Sequence, residues 1–191
     1  LLDGYAEFLS RADNRSAHRL LLVGGGTGTE ALVKHYRARV IALGLDQNVI
    51  FAGQRSSLDM GAFYALSDVL VSPRTEGTNT PLKIYCYMQA RRAIVATRIL
   101  SHTQVLTDGN SFLADPNPGS MAEAFRGAFR DGLEGERDRT ARVAAALELQ
   151  EREYSKDAFR RRIGALYAEI LAVPMQGEAP DDVRRSAVSG R

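Results

Sequence analysis

Five short apolar runs, spaced by stretches of helical period, constrain this 191-residue chain more than any other feature. They are Arg19-Leu-Leu-Leu-Val23, Asn48-Val-Ile-Phe-Ala52, Asp68-Val-Leu-Val-Ser72, Ala93-Ile-Val-Ala-Thr97 and Ser111-Phe-Leu-Ala-Asp115. Continuous apolar runs of four or five residues, closed by glycine or small polar residues, read as strands buried on both faces. Strands alternating with helices imply right-handed βαβ units. The fold class expected is therefore α/β: a Rossmann-like open parallel sheet with helices on both faces, followed by C-terminal helices.

The helical stretches carry their own signals. Leu1, Leu2, Tyr5, Leu9 and Ala12 share one helical face. Thr27 with Glu30, Ser56 with Asp59, and Ser120 with Glu123 have capping-box spacing. The helix after Thr27 turns Leu32, Val33, Tyr36, Val40 and Leu43 inward, and Gly44 closes it. A short helix carries Met60, Phe63 and Tyr64. The helix after Pro81 buries Leu82, Tyr85 and Met88 or their neighbours. One or two helical turns span Ser101 to Leu106. Beyond Pro118 only helices follow: one with Met121, Phe125 and Phe129, one over 136–152, and one from Ser155 with Phe159, Ile163, Leu166, Tyr167 and Ile170. Residues 1–172 are expected to form the domain. From Pro174 the sequence is polar and aperiodic, so 173–191 read as a disordered tail.

Composition narrows the function classes. An apolar share of 45% supports a sizeable core, and a formal charge of +2 gives no case for nucleic acid as a partner. One cysteine excludes an internal disulfide and fits a reducing compartment. No run is long enough for a membrane span, and no signal peptide is visible, so a cytoplasmic location is expected. The chain begins without methionine and already in helical period, as a piece cut from a longer protein would.

Ligands of open parallel sheets bind beyond the carboxyl ends of the strands. Four loops meet that condition: 24–28, 53–56, 73–80 and 97–101. The third is Pro73-Arg-Thr-Glu-Gly-Thr-Asn-Thr80, followed by Pro81. A threonine hydroxyl at Thr80 is expected to cap the helix and Pro81 to take its first position. Backbone amides of Gly77, Thr78, Asn79 and Thr80 then converge at the positive end of the helix dipole, a place for phosphate. Glu76 repels a phosphate and so is expected to face sugar hydroxyls. Arg74 and Lys83 flank the cradle as cations in reach of a phosphate, or as solvated surface charges. Cys86 reads as a small core residue rather than a nucleophile. His18 precedes a strand, His35 is on an exposed helix position, and His102 lies in a loop at the ligand edge as a possible contact; no metal-ligand spacing links them. Arg160, Arg161 and Arg162 form a charge run that reads as a solvated face, with contact to an anionic membrane as the rival.

The ordered set of Leu-Leu-Leu-Val-Gly-Gly-Gly at 20–26, Val-Ile-Phe-Ala-Gly-Gln at 49–54, the stretch from Ser72 to Tyr85 with Ile-Val-Ala-Thr to 97, and Asp-Gly-Asn-Ser-Phe-Leu at 108–113 resembles the C-terminal lobe of a GT-B glycosyltransferase of family 4, the glycosyl transferases group 1 family. The resemblance covers about residues 1–172. It implies a retaining glycosyltransferase whose lobe here binds a nucleoside-diphosphate sugar, with no cofactor and no metal. By that resemblance Glu76 contacts the donor sugar as the catalytic-site residue. The backbone of 77–80 with Pro81 faces the diphosphate and sugar, Gln54 and Arg55 lie beside the base, and Gly24 lies in the first loop. The family's second glutamate, which holds ribose, is replaced by Ile84 or, with a longer loop, Cys86; its Gly-Lys-Pro before the fourth strand is Arg91-Arg92-Ala93. The partners implied are the nucleotide sugar and the protein's own N-terminal lobe, which this chain does not contain, with peripheral membrane contact through the acceptor pathway. The lobe's first strand and its basic loop are also absent, so one sheet edge is expected to be exposed and this chain alone to transfer no sugar.

Two other classes stand beside this one. A non-catalytic GT-B-like interaction domain is favoured by the lost glutamate and opposed by the retained Glu76-Gly77 turn. An NAD(P)-binding Rossmann oxidoreductase using Gly24 to Gly28 lacks its third glycine, where Thr29 stands, and its acidic residue, where Gly53-Gln54 stands.

Overall fold

The computed structural model describes residues 1–172. Residues Leu1–Tyr154 form one compact unit and the chain from Ser155 a second. The expected tail, 173–191, lies outside the described residues.

All five strands form, within a residue or two of the expected runs: β1 Leu20–Val23, β2 Val49–Gly53, β3 Val69–Ser72, β4 Ala93–Thr97 and β5 Phe112–Ala114. Every pairing is parallel. Helices α1 (Leu2–Ser10), α2 (Glu30–Ala42), α3 (Met60–Leu66), α4 (Leu82–Gln89), α5 (Leu100–Thr103), α6 (Pro118–Ala128) and α7 (Gly132–Leu149) complete the first unit. A π-helical stretch, Gln150–Tyr154, ends it, and α8 (Lys156–Ala172) lies in the second.

β4 shows why an apolar run without alternation is a strand here. All five of its residues are buried. Ala93 and Val95 join a core with Leu2, Tyr5, Phe8 and Leu9 of α1 and Met121 and Phe125 of α6. Ile94 and Ala96 join a second core with Ile84 and Met88 of α4 and Ala146 of α7. The period-2 alternation of a strand thus feeds two helical layers from one stretch of sequence. Each large side chain so buried contributes roughly 1.5–3 kcal/mol.

The single sheet expected from the sequence is instead two hydrogen-bonded sheets, β1-β2 and β3-β4-β5. Rather than one exposed edge, β1, β2, β3 and β5 each keep an unpaired side. The effect reaches the side chains. β1 was expected to be buried on both faces, yet only Leu20 is; Leu21, Leu22 and Val23 are half-buried. Of the residues that α2 was to turn inward, only Val40 is buried, while Leu32 and Tyr36 are 53% and 44% exposed. With no strand beside β1 on that side, the helix has nothing continuous to pack on.

Several caps differ from their sequence signals. Gly44, at a φ of 62°, closes α2 as expected. Its N-cap is Thr29, however, whose hydroxyl donates to the Gly26 carbonyl, while Glu30 accepts from the Gly28 amide. Ser56 caps only a short 3-10 turn, Ser57–Asp59, accepting from the Leu58 amide, and Asp59 takes the N-cap position of α3 without a side-chain bond. At α6 the cap is Asn117, with Pro118 at the first position, and the Ser120 hydroxyl accepts instead from the Asp115 amide. Proline's fixed φ favours starting the helix at Pro118, two residues before the Ser-x-x-Glu signal. On α4 it is Ile84 and Met88 that are buried; Leu82 is 82% exposed. Cys86 is exposed, which corrects its reading as a core residue: it sits two positions along the helix from both buried ones, on another face. On α8, Phe159, Leu166, Tyr167 and Ile170 are exposed and only Ala158 is buried.

His102 is also corrected. It sits in α5, not in a loop, and is wholly buried. Its Nδ1 lies 2.8 Å from the Thr97 carbonyl, which can only accept, so Nδ1 carries the proton of the neutral ring. Nε2 then accepts from the Ser72 hydroxyl at 2.9 Å. The ring therefore joins the carboxyl ends of β3 and β4. Burial, the largest influence, pushes its pKa below the ordinary histidine value, with Lys83 and Arg74 acting in the same direction and the Thr97 bond opposing them.

Two outcomes follow from this architecture. In the folded state His102 holds its proton less tightly than in the unfolded chain. Its contribution to stability is therefore full above the unfolded pKa of about 6.5 and is lost as pH falls through that value. Urea midpoints measured from pH 8 to pH 5.5 should show wild type declining faster than His102→Asn, with the gap narrowing; a constant gap would contradict the assignment. In β1, the Leu20 and Gly24 amides face β2. Alternation points those of Leu21 and Val23 to the unpaired side. Amide exchange by NMR should be faster at Leu21 and Val23 than at Leu22, by tenfold or more.

Candidate functional site

The carboxyl ends of the strands come together as the sequence requires. The Gly24 amide donates to the Gly53 carbonyl at 2.9 Å, joining the loops after β1 and β2. The Thr97 hydroxyl donates to the Arg74 carbonyl, joining those after β3 and β4. Between the pairs lies a cavity of about 830 Å³. Val23, Gly24, Gly25 and Phe51 line one side, Pro73, Arg74, Thr75 and Glu76 another, and Leu32 and Tyr36 the helical wall. The outward-left face of α2 thus becomes a cavity wall, in the size range of small-molecule sites.

The structure brings Gly24, Arg74 and Glu76 to this cavity. Gly77, Thr78, Asn79, Thr80, Pro81 and Lys83 follow Glu76 along the chain but are not among the residues that line it. Gln54 lies in a second, smaller cavity of about 470 Å³ with Gly26, Glu30, Lys34 and Arg37, packed directly against Gly26. Arg55 is exposed and lines neither. The two cavities adjoin at the glycine-rich loop, since Gly25 and Val33 belong to both.

The 73–80 loop differs from its sequence reading in one respect. Pro81, not Thr80, is the N-cap of α4; Pro81 is extended at ψ 135° and no side chain caps the helix. The Thr80 hydroxyl instead donates to Gln104 Oε1 at 2.8 Å. A residue before proline is held out of the helical region, so Thr80 stands one place too far from the helix to cap it. The cradle amides are displaced from the helix end by the same residue. Gly77 has a φ of 131°, a conformation L side chains rarely adopt, and the Arg74 guanidinium packs 2.8 Å from where a Cβ would stand. Arg74 also donates to the Asn79 carbonyl at 3.3 Å. Arg74 is therefore part of the loop's shape, not a free surface cation.

Glu76 is exposed. Lys83 is half-buried beneath the loop, and burial, followed by the nearby Arg74, lowers its pKa. Two cations at the base of this turn and one carboxylate at its tip form an arrangement suited to an anion with hydroxyls attached. Ile84 is wholly buried in the core beside Met88, so no acceptor stands at that position. Cys86, exposed two residues on, is a thiol and not a carboxylate. His35 lines the main cavity, His18 is held between the rings of Phe8 and Phe129, and His102 is buried behind the loop. Among the described residues no cluster of three metal-binding side chains occurs, and no helix is long and apolar enough to cross a membrane.

Gln104 escaped the sequence reading. Its Nε2 donates to the Thr78 carbonyl at 3.0 Å while its Oε1 accepts from Thr80. A lone glutamine in a polar stretch gives no signal of this. The only available hint was its place three residues beyond the 97–101 loop, one of the four expected to converge.

No curated protein sequence matches the chain. Solved structures do match in fold. HepE of Anabaena, in complex with UDP, superposes with a TM-score of 0.75 at 19% identity over 88% of this chain and 44% of that one. A glycosyltransferase from Rickettsia africae gives 0.76 at 18% identity, over 91% and 44%. The C-terminal domain of LpcC, a glycosyl transferase group 1 family protein from Francisella tularensis, gives 0.68 at 18% identity, over 81% and 77%. The chain thus spans less than half the length of the first two. The sequence model of the glycosyl transferases group 1 family matches residues 1–131, the stretch that holds all five strands and every loop at their carboxyl ends, and the chain belongs to that family.

Proposed function

We propose that this chain is the C-terminal, donor-binding lobe of a retaining family 4 glycosyltransferase of the two-lobed GT-B type. The observation that carries the reading is the cavity at the strand ends, where Glu76 and the root of its loop face the glycine-rich turn at Gly24. Family membership supports glycosyl transfer as the activity of the whole protein. HepE has been solved with UDP-glucose as well as with UDP, which supports a nucleoside-diphosphate sugar as the donor. The match to an isolated C-terminal domain over 77% of that domain supports placing this chain in the same half.

In this reading the cavity takes the donor and Glu76 accepts hydrogen bonds from the sugar hydroxyls. The backbone of Gly77 to Thr80, with Pro81 opening the helix behind it, faces the diphosphate. Arg74 and Lys83 supply positive charge as the leaving diphosphate gains negative charge. Gln54, packed against Gly26 of the glycine-rich loop, and Arg55 serve the base. No cofactor and no metal enter, and the protein works in the cytoplasm. An acceptor must be held in register with the donor in a closed site, which one lobe cannot provide, so this chain alone transfers no sugar. The acceptor side belongs to an N-terminal lobe, and any membrane contact comes with the acceptor.

A second reading, an interaction domain that retains the fold but not the donor site, is favoured by the burial of Ile84 where the ribose-holding glutamate is expected. Family membership removes the support for a nicotinamide oxidoreductase. Titration calorimetry with UDP, GDP, ADP and NAD separates the three, since the interaction domain binds none of them.

Two substitutions test the site. Gly77→Val forces a side chain into a left-handed backbone and displaces Arg74, so nucleotide binding should be lost while the circular-dichroism spectrum is retained. Equal affinity in folded wild type and variant would remove the cradle from the site. Glu76→Gln should leave the affinity for free nucleoside diphosphate within about twofold but weaken the nucleotide sugar by about tenfold, the scale of one charged hydrogen bond. Parallel losses for both ligands would put Glu76 on the nucleotide.

A further inference from the structure

Between Ser72 and Pro81 the chain makes no backbone–backbone hydrogen bond among the described residues. A loop of eight residues with that deficit samples many shapes unless side chains fix it. Three such contacts come from one direction, the end of β4 and the short α5 that follows it. The Thr97 hydroxyl donates to the Arg74 carbonyl. The Gln104 amide donates to the Thr78 carbonyl, and its carbonyl accepts from the Thr80 hydroxyl. A fourth tie, His102 Nε2 to the Ser72 hydroxyl, anchors the loop's root. The Gln104 pair is mutually consistent: the orientation that lets its nitrogen donate to Thr78 is the one that lets its oxygen accept from Thr80.

We propose that α5 and the residue after it form a latch that sets the shape of the 73–80 loop, with His102 and Gln104 as positioning residues. His102 fixes where the loop leaves β3, and Gln104 fixes where it enters α4. Glu76 and Gly77 are held between these two points, so the direction of the carboxylate and of the Gly77 and Thr78 amides is set from behind. Neither residue lines the main cavity; both act through the loop. The proposal rests on the donor-binding reading for what the loop contacts, and not for the latch itself.

The experiment uses the 191-residue chain and two readouts. His102 is buried, and its replacement risks the fold, so Gln104→Ala is the principal variant. Backbone 15N order parameters across residues 74–80 should fall from about 0.85 in wild type to below about 0.6 in Gln104→Ala and in Thr80→Val, because the loop loses its tie to α5. Order parameters in β3, β4 and β5 should stay unchanged, and so should the melting temperature. Thr80→Ser keeps the hydroxyl and should leave the loop as ordered as in wild type, which a role for the threonine methyl in packing would not allow. Affinity for UDP-glucose should fall about tenfold in Gln104→Ala, and Thr80→Val added to it should lower affinity little further. Unchanged loop order parameters in Gln104→Ala would overturn the latch. If wild type binds neither UDP nor UDP-glucose, the donor reading fails, and the order parameters still decide the latch.

Discussion

A parallel strand that ends at a ligand site must hand its direction to a loop that has few hydrogen bonds of its own. In this chain the buried imidazole of His102 makes that transfer. One ring nitrogen donates to the carbonyl at the end of β4 and the other accepts from the hydroxyl at the end of β3. Ser72 and Thr97 are themselves buried, so three polar groups satisfy one another where water cannot. The neutral ring is the form that fits this geometry, and its depressed pKa expresses the same fact. The position of the Glu76 turn, and with it one wall of the cavity, depends on that bridge.

The division of the strands into two sheets has the opposite character. β4 is saturated: strands on both sides, helices on both faces and no exposed residue. β1 is paired on one side only, its later residues are half-buried, and α2 above it shows Leu32 and Tyr36 to the cavity. Stability and binding capacity are thus placed at different ends of one fold. The β3–β5 half is consolidated by wholly buried aliphatic side chains such as Ile84, Met88, Ile94 and Val95, while the β1–β2 half offers apolar surface and unpaired backbone. A strand edge of that kind is open to pairing with another chain.

The strands and the loops at their ends were legible in the sequence because both signals are local. Four or five apolar residues followed by glycine or a hydroxyl residue name a buried strand and its exit, and all five appear within a residue or two of their expected bounds. Pairing between strands is not local, and nothing in the run Leu20 to Val23 distinguishes a strand flanked on both sides from one flanked on one. The caps misled for a related reason. Ser-x-x-Glu at Ser120 and Thr-x-x-Glu at Thr27 are compatible with a helix start, but Pro118 and Thr29 start the helices elsewhere, and the Ser120 hydroxyl accepts from the Asp115 amide instead. Of the candidate site, Glu76, Arg74 and Gly24 were found from the loop they occupy. Gln104 and the structural part of His102 were missed, since each bonds a residue more than 20 positions away: the Thr78 carbonyl for Gln104 and the Ser72 hydroxyl for His102.

The exposure of Cys86 has a practical side. It is the only cysteine in the sequence, it sits on the surface of α4, and the helix it rides on begins two residues after Thr80. A maleimide dye placed there labels a single defined point within two helical turns of the Glu76 loop, without engineering a new thiol. The same thiol, left unprotected in air, has no partner within its own chain, so oxidation joins two copies through a disulfide at α4. Preparations of the protein therefore call for a reductant before any measurement of its oligomeric state.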